Sequence, residues 1–165
     1  MSFGTDRHSL RKSPKIASVG DGQNQLLSRF MEEKMTDLKN FKGTVMELLG
    51  IEYREVTKEK IVLIMPVTPK THHPWGSLHG GVSVVLAETA ATMGACMNID
   101  QEKQFAVGLE INASHIRSKR EGILTATATP VHIGHAVSVW DIQISDEQGK
   151  LICTSRCTLA IVDKK

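Results

Sequence analysis

Aromatic side chains are scarce in this 165-residue chain, with one Tyr, two Trp and four Phe making up 4% of it. The core must therefore be mostly aliphatic. Charge of one sign is missing as well: 20 Lys and Arg stand against 18 Asp and Glu, a formal net charge of +2. That balance excludes nucleic acid or an anionic membrane recruited by bulk charge, and leaves any anionic ligand to a local basic patch. Cysteines are few and unpaired in pattern. Cys96, Cys153 and Cys157 form no CxxC and no Cys/His metal spacing, so a disulfide framework is not expected and a reducing cytoplasm is. His8, His72, His73, His79, His115, His132 and His135 make no HExxH or facial-triad pattern, so no metal is expected either. No Walker or Rossmann glycine loop points to ATP or NAD, and no nucleophile elbow points to an α/β-hydrolase. No stretch has the layout of a secretory signal. The basic opening segment with Arg7, Arg11, Lys12 and Lys15 lacks the apolar helical face of a transit sequence.

What is there is a 41% hydrophobic, 23% charged composition, that of a soluble globular protein. A chain of this length fits one domain that buries roughly two thirds of its unfolded surface. Residues 1–23 are polar and interrupted by Gly4, Pro14, Gly20 and Gly22, and read as a disordered arm that carries no chemistry. Residues 24–49 read as N-terminal helices. Leu26, Leu27, Phe30, Met31 and Met35 recur at helical spacing, and a second helix over Phe41–Leu49 stops at Gly50. From there, residues 50–165 read as the functional domain.

Beyond Gly50 the period falls to two. Ile51, Tyr53 and Val56 alternate with polar residues, and Lys60–Val67 is a β-branched run, so the two segments predict an antiparallel pair. A loop over Thr68–Ser77 follows, then a helix over Gly80–Met97. Four strand-like runs come after it: Phe105–Arg117, Ile123–Pro130, Ala136–Ser145 and Leu151–Val162. Four strands in succession leave no crossover helices for a parallel sheet. The expectation is an α+β fold, a mostly antiparallel sheet wrapped around one long helix. Its long edge strands suggest pairing with a second subunit.

That helix is apolar nearly all round, which predicts burial. It is too short for a membrane span, and Glu88 near its middle would be costly in lipid. Inside a protein Glu88 is costly too, and calls for either a structural partner or a function. The start of the helix, Leu78-His79-Gly80-Gly81, offers backbone N–H groups that no side chain obstructs, a place for developing negative charge on oxygen. A carbonyl polariser and a carboxylate on one helix suggest acyl transfer. Gly80 and Glu88 are about 12 Å apart at roughly 1.5 Å per residue. The two cannot serve one carbonyl from a single chain, so a site shared across a dimer two-fold is expected.

Three strings carry a resemblance to a known family: His73-Pro74-Trp75-Gly76-Ser77-Leu78-His79-Gly80-Gly81, Leu86-Ala87-Glu88-Thr89, and Gly108-Leu109-Glu110-Ile111-Asn112-Ala113-Ser114-His115-Ile116-Arg117. Together they resemble the hotdog-fold acyl-CoA thioesterases of the phenylacetate-pathway and 4-hydroxybenzoyl-CoA type, and in particular those acting on aromatic substrates such as 1,4-dihydroxy-2-naphthoyl-CoA. The likeness spans about residues 41–162. It implies that Glu88 is nucleophile or general base, that the Gly80 N–H is the oxyanion donor, that His79 shapes the turn, and that Thr89 and Thr92 orient the carboxylate or its water. The family commonly has Gln or Asn six residues before the motif His, donating to the thioester carbonyl; His73 stands there in this chain, and its imidazole N–H can do the same work. For coenzyme A the resemblance implies Val107, Ser114, His115, Ile116 and Arg117, then Val131, His132, Ile133, Gly134, His135 and Ala136, with Arg117, Lys119 and Arg120 supplying charge. Coenzyme A is then part of the substrate and no separate cofactor is needed. A homodimer or a dimer of dimers is implied. Two other readings stand beside this one: a noncatalytic acyl-CoA-binding hotdog module, and a hotdog enoyl-CoA hydratase.

Overall fold

The computed structural model describes residues 41–165, and the arm and the first predicted helix lie outside them. The described part begins with a one-turn helix α1 (Val45–Leu49), then β1 (Glu52–Val56) and β2 (Ile61–Val67), a 3-10 turn at Pro69–Thr71, and two-residue strands β3 (His72–His73) and β4 (Ser77–Leu78). The long helix α2 (Gly80–Cys96) follows, and then β5 (Gln104–His115), β6 (Gly122–Ile133), β7 (Val137–Ser145) and β8 (Leu151–Asp163).

α1 is shorter than its pattern predicts. Gly43 at φ +75° breaks the chain before it, and Thr44 caps it by accepting from the Glu47 N–H. Phe41 packs instead on the Tyr53 ring, centroid to centroid 5.1 Å. The stop at Gly50 is as expected, a left-handed residue at φ +66°.

The six longer strands form one sheet in the order β1-β2-β6-β7-β8-β5, antiparallel throughout. The period-two signal reports its inner face. Ile61, Leu63 and Met65 on β2, Leu124, Ala126 and Ala128 on β6, and Trp140, Ile142 and Ile144 on β7 are all fully buried, while polar residues such as Thr125, Thr127 and Gln143 alternate with them. α2 lies on that inner face and touches β2, β5, β6, β7 and β8. Gly94 lets it approach, because a Cβ there would sit 2.5 Å from the Trp140 indole. That indole donates to Ser138 Oγ at 2.8 Å, which satisfies the one polar atom of the largest core side chain.

Two expectations need correction. β6 does not end at Pro130 but runs on to Ile133, with a bulge between Pro130 and His132. Proline is tolerated there because β2 has already ended opposite Ala128, so its missing N–H forfeits no ladder bond on that side. α2 is also not buried all round. Leu86, Ala87, Ala90, Ala91 and Met93 face the sheet, while Val84, Val85, Glu88, Thr89 and Thr92 stay half-buried on the other side.

Candidate active site

His79 caps α2. Its backbone N–H donates to Thr71 O and that of Leu78 to Lys119 O, both at 2.8 Å, so the turn before the helix is tied to the 3-10 turn and to the segment after β5. The His79 Nδ1 accepts from the Gly81 N–H at 3.0 Å. That nitrogen is therefore unprotonated and the ring proton is on Nε2. Gly80 is left as the first-turn residue whose N–H has no acceptor among the described residues. The His115 imidazole lies directly over it, since a Cβ at Gly80 would be 2.7 Å from His115 Nε2. The missing side chain at 80 thus leaves room for the close approach of a ring. Both border a cavity of about 330 Å³, lined as well by His73, Ser77, Ser83 and Ile116.

Glu88 lies elsewhere. Its carboxylate rests on the backbone of β5, where a Cβ at Gly108 would be 2.4 Å from Oε1. It makes no hydrogen bond or ion pair among the described residues, and it does not border the Gly80 cavity. Its neighbour on β8, the fully buried Cys157 thiol, is pushed up to about 11 by burial first and then by the charges of Glu88 and Glu110. Such a thiol stays protonated near neutral pH and is no nucleophile. The Thr89 hydroxyl donates to Val85 O at 2.7 Å, so its proton is spent inside its own helix. Thr92 is half-buried and forms no hydrogen bond among the described residues.

His73 is placed differently from the expectation. Its Nδ1 accepts from the Trp75 N–H at 3.2 Å and its Nε2 lies 2.8 Å from Ser77 Oγ. A backbone N–H can only donate, so in the neutral ring Nε2 carries the proton and gives it to Ser77. The imidazole N–H is consumed within the β3–β4 turn, and the Ser77 hydroxyl proton is the one left uncommitted. No pattern in the sequence marks Ser77 for this.

The residues expected to bind coenzyme A do not form one group within a chain. His115 pairs with Cys153 and so lies in the row of Ile144, whereas Val107 pairs with Ala160 and so lies in the row of Val137, beside Ile133. Ser114, His115, Ile116 and Arg117 therefore stand at one end of the sheet. Val107, Val131, His132, Ile133, Gly134, His135 and Ala136 stand at the other, about 26 Å away at roughly 3.3 Å per residue. Lys119 is also committed. It is largely buried and bonded to Glu147 at 2.6 Å, with Asp146 at 4.0 Å, so it is not a free surface cation. Arg117 donates to Leu151 O at 2.6 Å and, like Arg120, remains exposed.

Among the described residues no group of three or more His, Cys, Asp or Glu could hold a metal ion, and no helix is long and apolar enough to cross a membrane.

A long helix on one antiparallel sheet, with an N–H at its start and a carboxylate two turns on that both lack partners among the described residues, defines a class that the comparisons identify. Residues 76–153 match the family model of the thioesterase superfamily. A putative esterase of Bacillus subtilis, ComA2, is 54% identical over 125 residues, which are 76% of this chain and 99% of that protein. The 1,4-dihydroxy-2-naphthoyl-CoA hydrolase of Listeria monocytogenes is 52% identical over 119 residues, 72% of this chain and 96% of that protein. Among solved structures, the thioesterase HI1161 of Haemophilus influenzae superposes with a TM-score of 0.71 at 41% identity, covering 74% of this chain and 85% of that one. The chain belongs to the thioesterase superfamily, and its fold is the α+β hotdog expected from the resemblance.

Proposed function

We propose that the protein hydrolyses an acyl-CoA thioester, with an aromatic acyl group, to the free acid and coenzyme A. The observation that carries this reading is the Gly80 N–H, free at the head of a cavity and aligned with the helix axis. Such a donor meets the oxygen of a thioester carbonyl and gains strength as that oxygen becomes negative in the tetrahedral state. The Ser77 hydroxyl, oriented by His73, is the second donor in this arrangement.

The site is completed by a second copy of the chain. Three features support that: Glu88 is remote from the Gly80 cavity, the Val84–Thr92 face of α2 is half-buried, and edge strand β5 exposes Phe105, Val107 and Leu109. Antiparallel pairing of β5 with its symmetry mate sets the His115 end of one strand beside the Val107 end of the other. The two sets of coenzyme A residues, separated in one chain, then meet across the dimer, and Glu88 of one copy serves Gly80 of the other. Thr92 and Thr89 border that carboxylate, and Arg117 and Arg120 are the cations available to coenzyme A phosphates. Glu88 either attacks the carbonyl carbon, expelling the thiolate and leaving an anhydride that water opens, or takes a proton from the attacking water; both give acid plus thiol. Pairing of two such dimers through the sheets would give the tetramer. The three cysteines are free thiols, which supports a reducing, cytoplasmic setting.

The test is thiol release from benzoyl-CoA and octanoyl-CoA by wild type and by Glu88→Gln. The expected result is release by wild type, faster with benzoyl-CoA, and a loss of about a hundredfold or more in the variant. Full turnover by Glu88→Gln would remove Glu88 from the chemistry. Absence of release by wild type would favour a binding module.

A further inference from the structure

One polar atom in the core has nothing to bond. Ser83 is 1% exposed, and its Oγ is the buried side-chain atom without a hydrogen-bond partner among the described residues. A helical Ser or Thr commonly retires its hydroxyl on the carbonyl one turn back, as Thr89 does on Val85 O at 2.7 Å. Ser83 does not, and the carbonyl four residues before it, His79 O, receives the Val82 N–H at 2.9 Å instead. The other buried residues of α2 are Leu86, Ala87, Ala90, Ala91, Met93, Gly94 and Ala95, all apolar. Alanine at 83 would keep that pattern without an unpaired hydroxyl. Ser83 also borders the Gly80 cavity, whose apolar wall is made by Leu78, Ile116 and Ile152. An unsatisfied buried hydroxyl on a residue that lines a cavity is placed to take its partner from a ligand.

We infer that Ser83 is a specificity-determining residue that hydrogen-bonds an oxygen carried by the acyl group of the substrate. The inference rests on the reading of the cavity as a thioester site with its carbonyl at the Gly80 N–H. The nucleotide end of coenzyme A has to reach solvent, so the half of the substrate that passes inward from Gly80 to a buried side chain is the acyl half. Ser83 stands three residues beyond Gly80, about 4.5 Å along the axis at roughly 1.5 Å per residue, and on a neighbouring part of the same face. An oxygen bound at each place is then about 5 Å from the other. That spacing fits a hydroxyl on the second or third carbon beyond the carbonyl carbon, as at position 2 or 3 of a benzoyl ring, and is too short for position 4.

The experiment is kcat/KM for benzoyl-CoA and its 2-, 3- and 4-hydroxy derivatives with wild type and Ser83→Ala, together with the Tm of both proteins. Wild type is expected to prefer the 2- or 3-hydroxy ester over benzoyl-CoA by about tenfold, the effect of one neutral hydrogen bond. Ser83→Ala abolishes that preference, leaves benzoyl-CoA within about threefold, and does not lower Tm, because the hydroxyl has no partner among the described residues to lose. An equal loss on all four esters, an unchanged preference, or a lowered Tm would overturn the inference. Release from none of the four by wild type would overturn the thioesterase reading beneath it.

Discussion

The two ends of α2 use glycine for opposite purposes. At Gly94 the missing side chain admits the Trp140 indole, which would lie 2.5 Å from a Cβ and whose N–H is bonded to Ser138. At Gly80 the missing side chain admits the His115 imidazole, which would lie 2.7 Å from a Cβ, beside an N–H and a serine hydroxyl that have no partner among the described residues, and a cavity. At the first end no buried side-chain polar atom among the described residues lacks a partner, and the packing gains stability. The second carries unspent donors that cost stability, and such groups persist where a ligand completes them. Close approach of backbone to a ring is the same geometric device in both; what surrounds it decides whether it builds the fold or a site.

Substitution separates the two ends. The largest expected effect is Trp140→Ala, which empties the core under α2 and destabilises by about 3–5 kcal/mol; chemical denaturation measures it as a lowered midpoint. Next come the glycines themselves. Gly80→Ala is expected to reduce turnover by tenfold to a hundredfold, since the added Cβ leaves the N–H in place but displaces the His115 ring and obstructs the close approach of an oxygen to that donor, with the unfolding midpoint nearly unchanged because the displaced His115 ring is exposed. Gly94→Ala is expected to do the reverse, losing about 1–3 kcal/mol by overpacking while each folded molecule keeps its activity. Equal stability losses from both would break the comparison.

The smallest effect lies at the ion pair that ties the segment behind the Gly80 cavity to the β7–β8 turn. The Lys119 ammonium first, then backbone N–H groups including that of Ile123, hold the Glu147 carboxyl down to about 2 from its ordinary 4.5. A carboxyl lowered in the folded state adds stability above its unfolded pKa and loses it as pH falls toward the folded one. Melting followed from pH 5 to pH 2 should show an acid-side fall that Glu147→Gln makes shallower. An identical slope in both proteins would mean the pair contributes nothing.

Much of this contrast was legible in the residues. The apolar run around Glu88 and the period-two segments after it predict one helix on an antiparallel sheet, because helix and strand periods are local properties. Gly80 and Glu88 stood out for the same reason. Strand order is not local, and it alone shows that Ser114–Arg117 and Val131–Ala136 lie at opposite ends of the sheet. Lys119 looked like a surface cation because Glu147, 28 residues on, comes beside it only in the fold. His73 looked like a donor because the acceptor that takes its proton, Ser77, has no signature. Ser83 carries no mark in the sequence because what distinguishes it is a bond it does not make.

The central claim is that Gly80 of one chain and Glu88 of another form one active site. Gly80→Ala and Glu88→Gln, each impaired on its own, can be unfolded together, refolded as an equimolar mixture and assayed for thiol release. Random pairing makes half the dimers mixed, and one of the two sites in each is wild type on both sides, so about a quarter of wild-type activity should return. Activity no higher than the mean of the two parents would contradict the claim and place both groups in the service of a single chain.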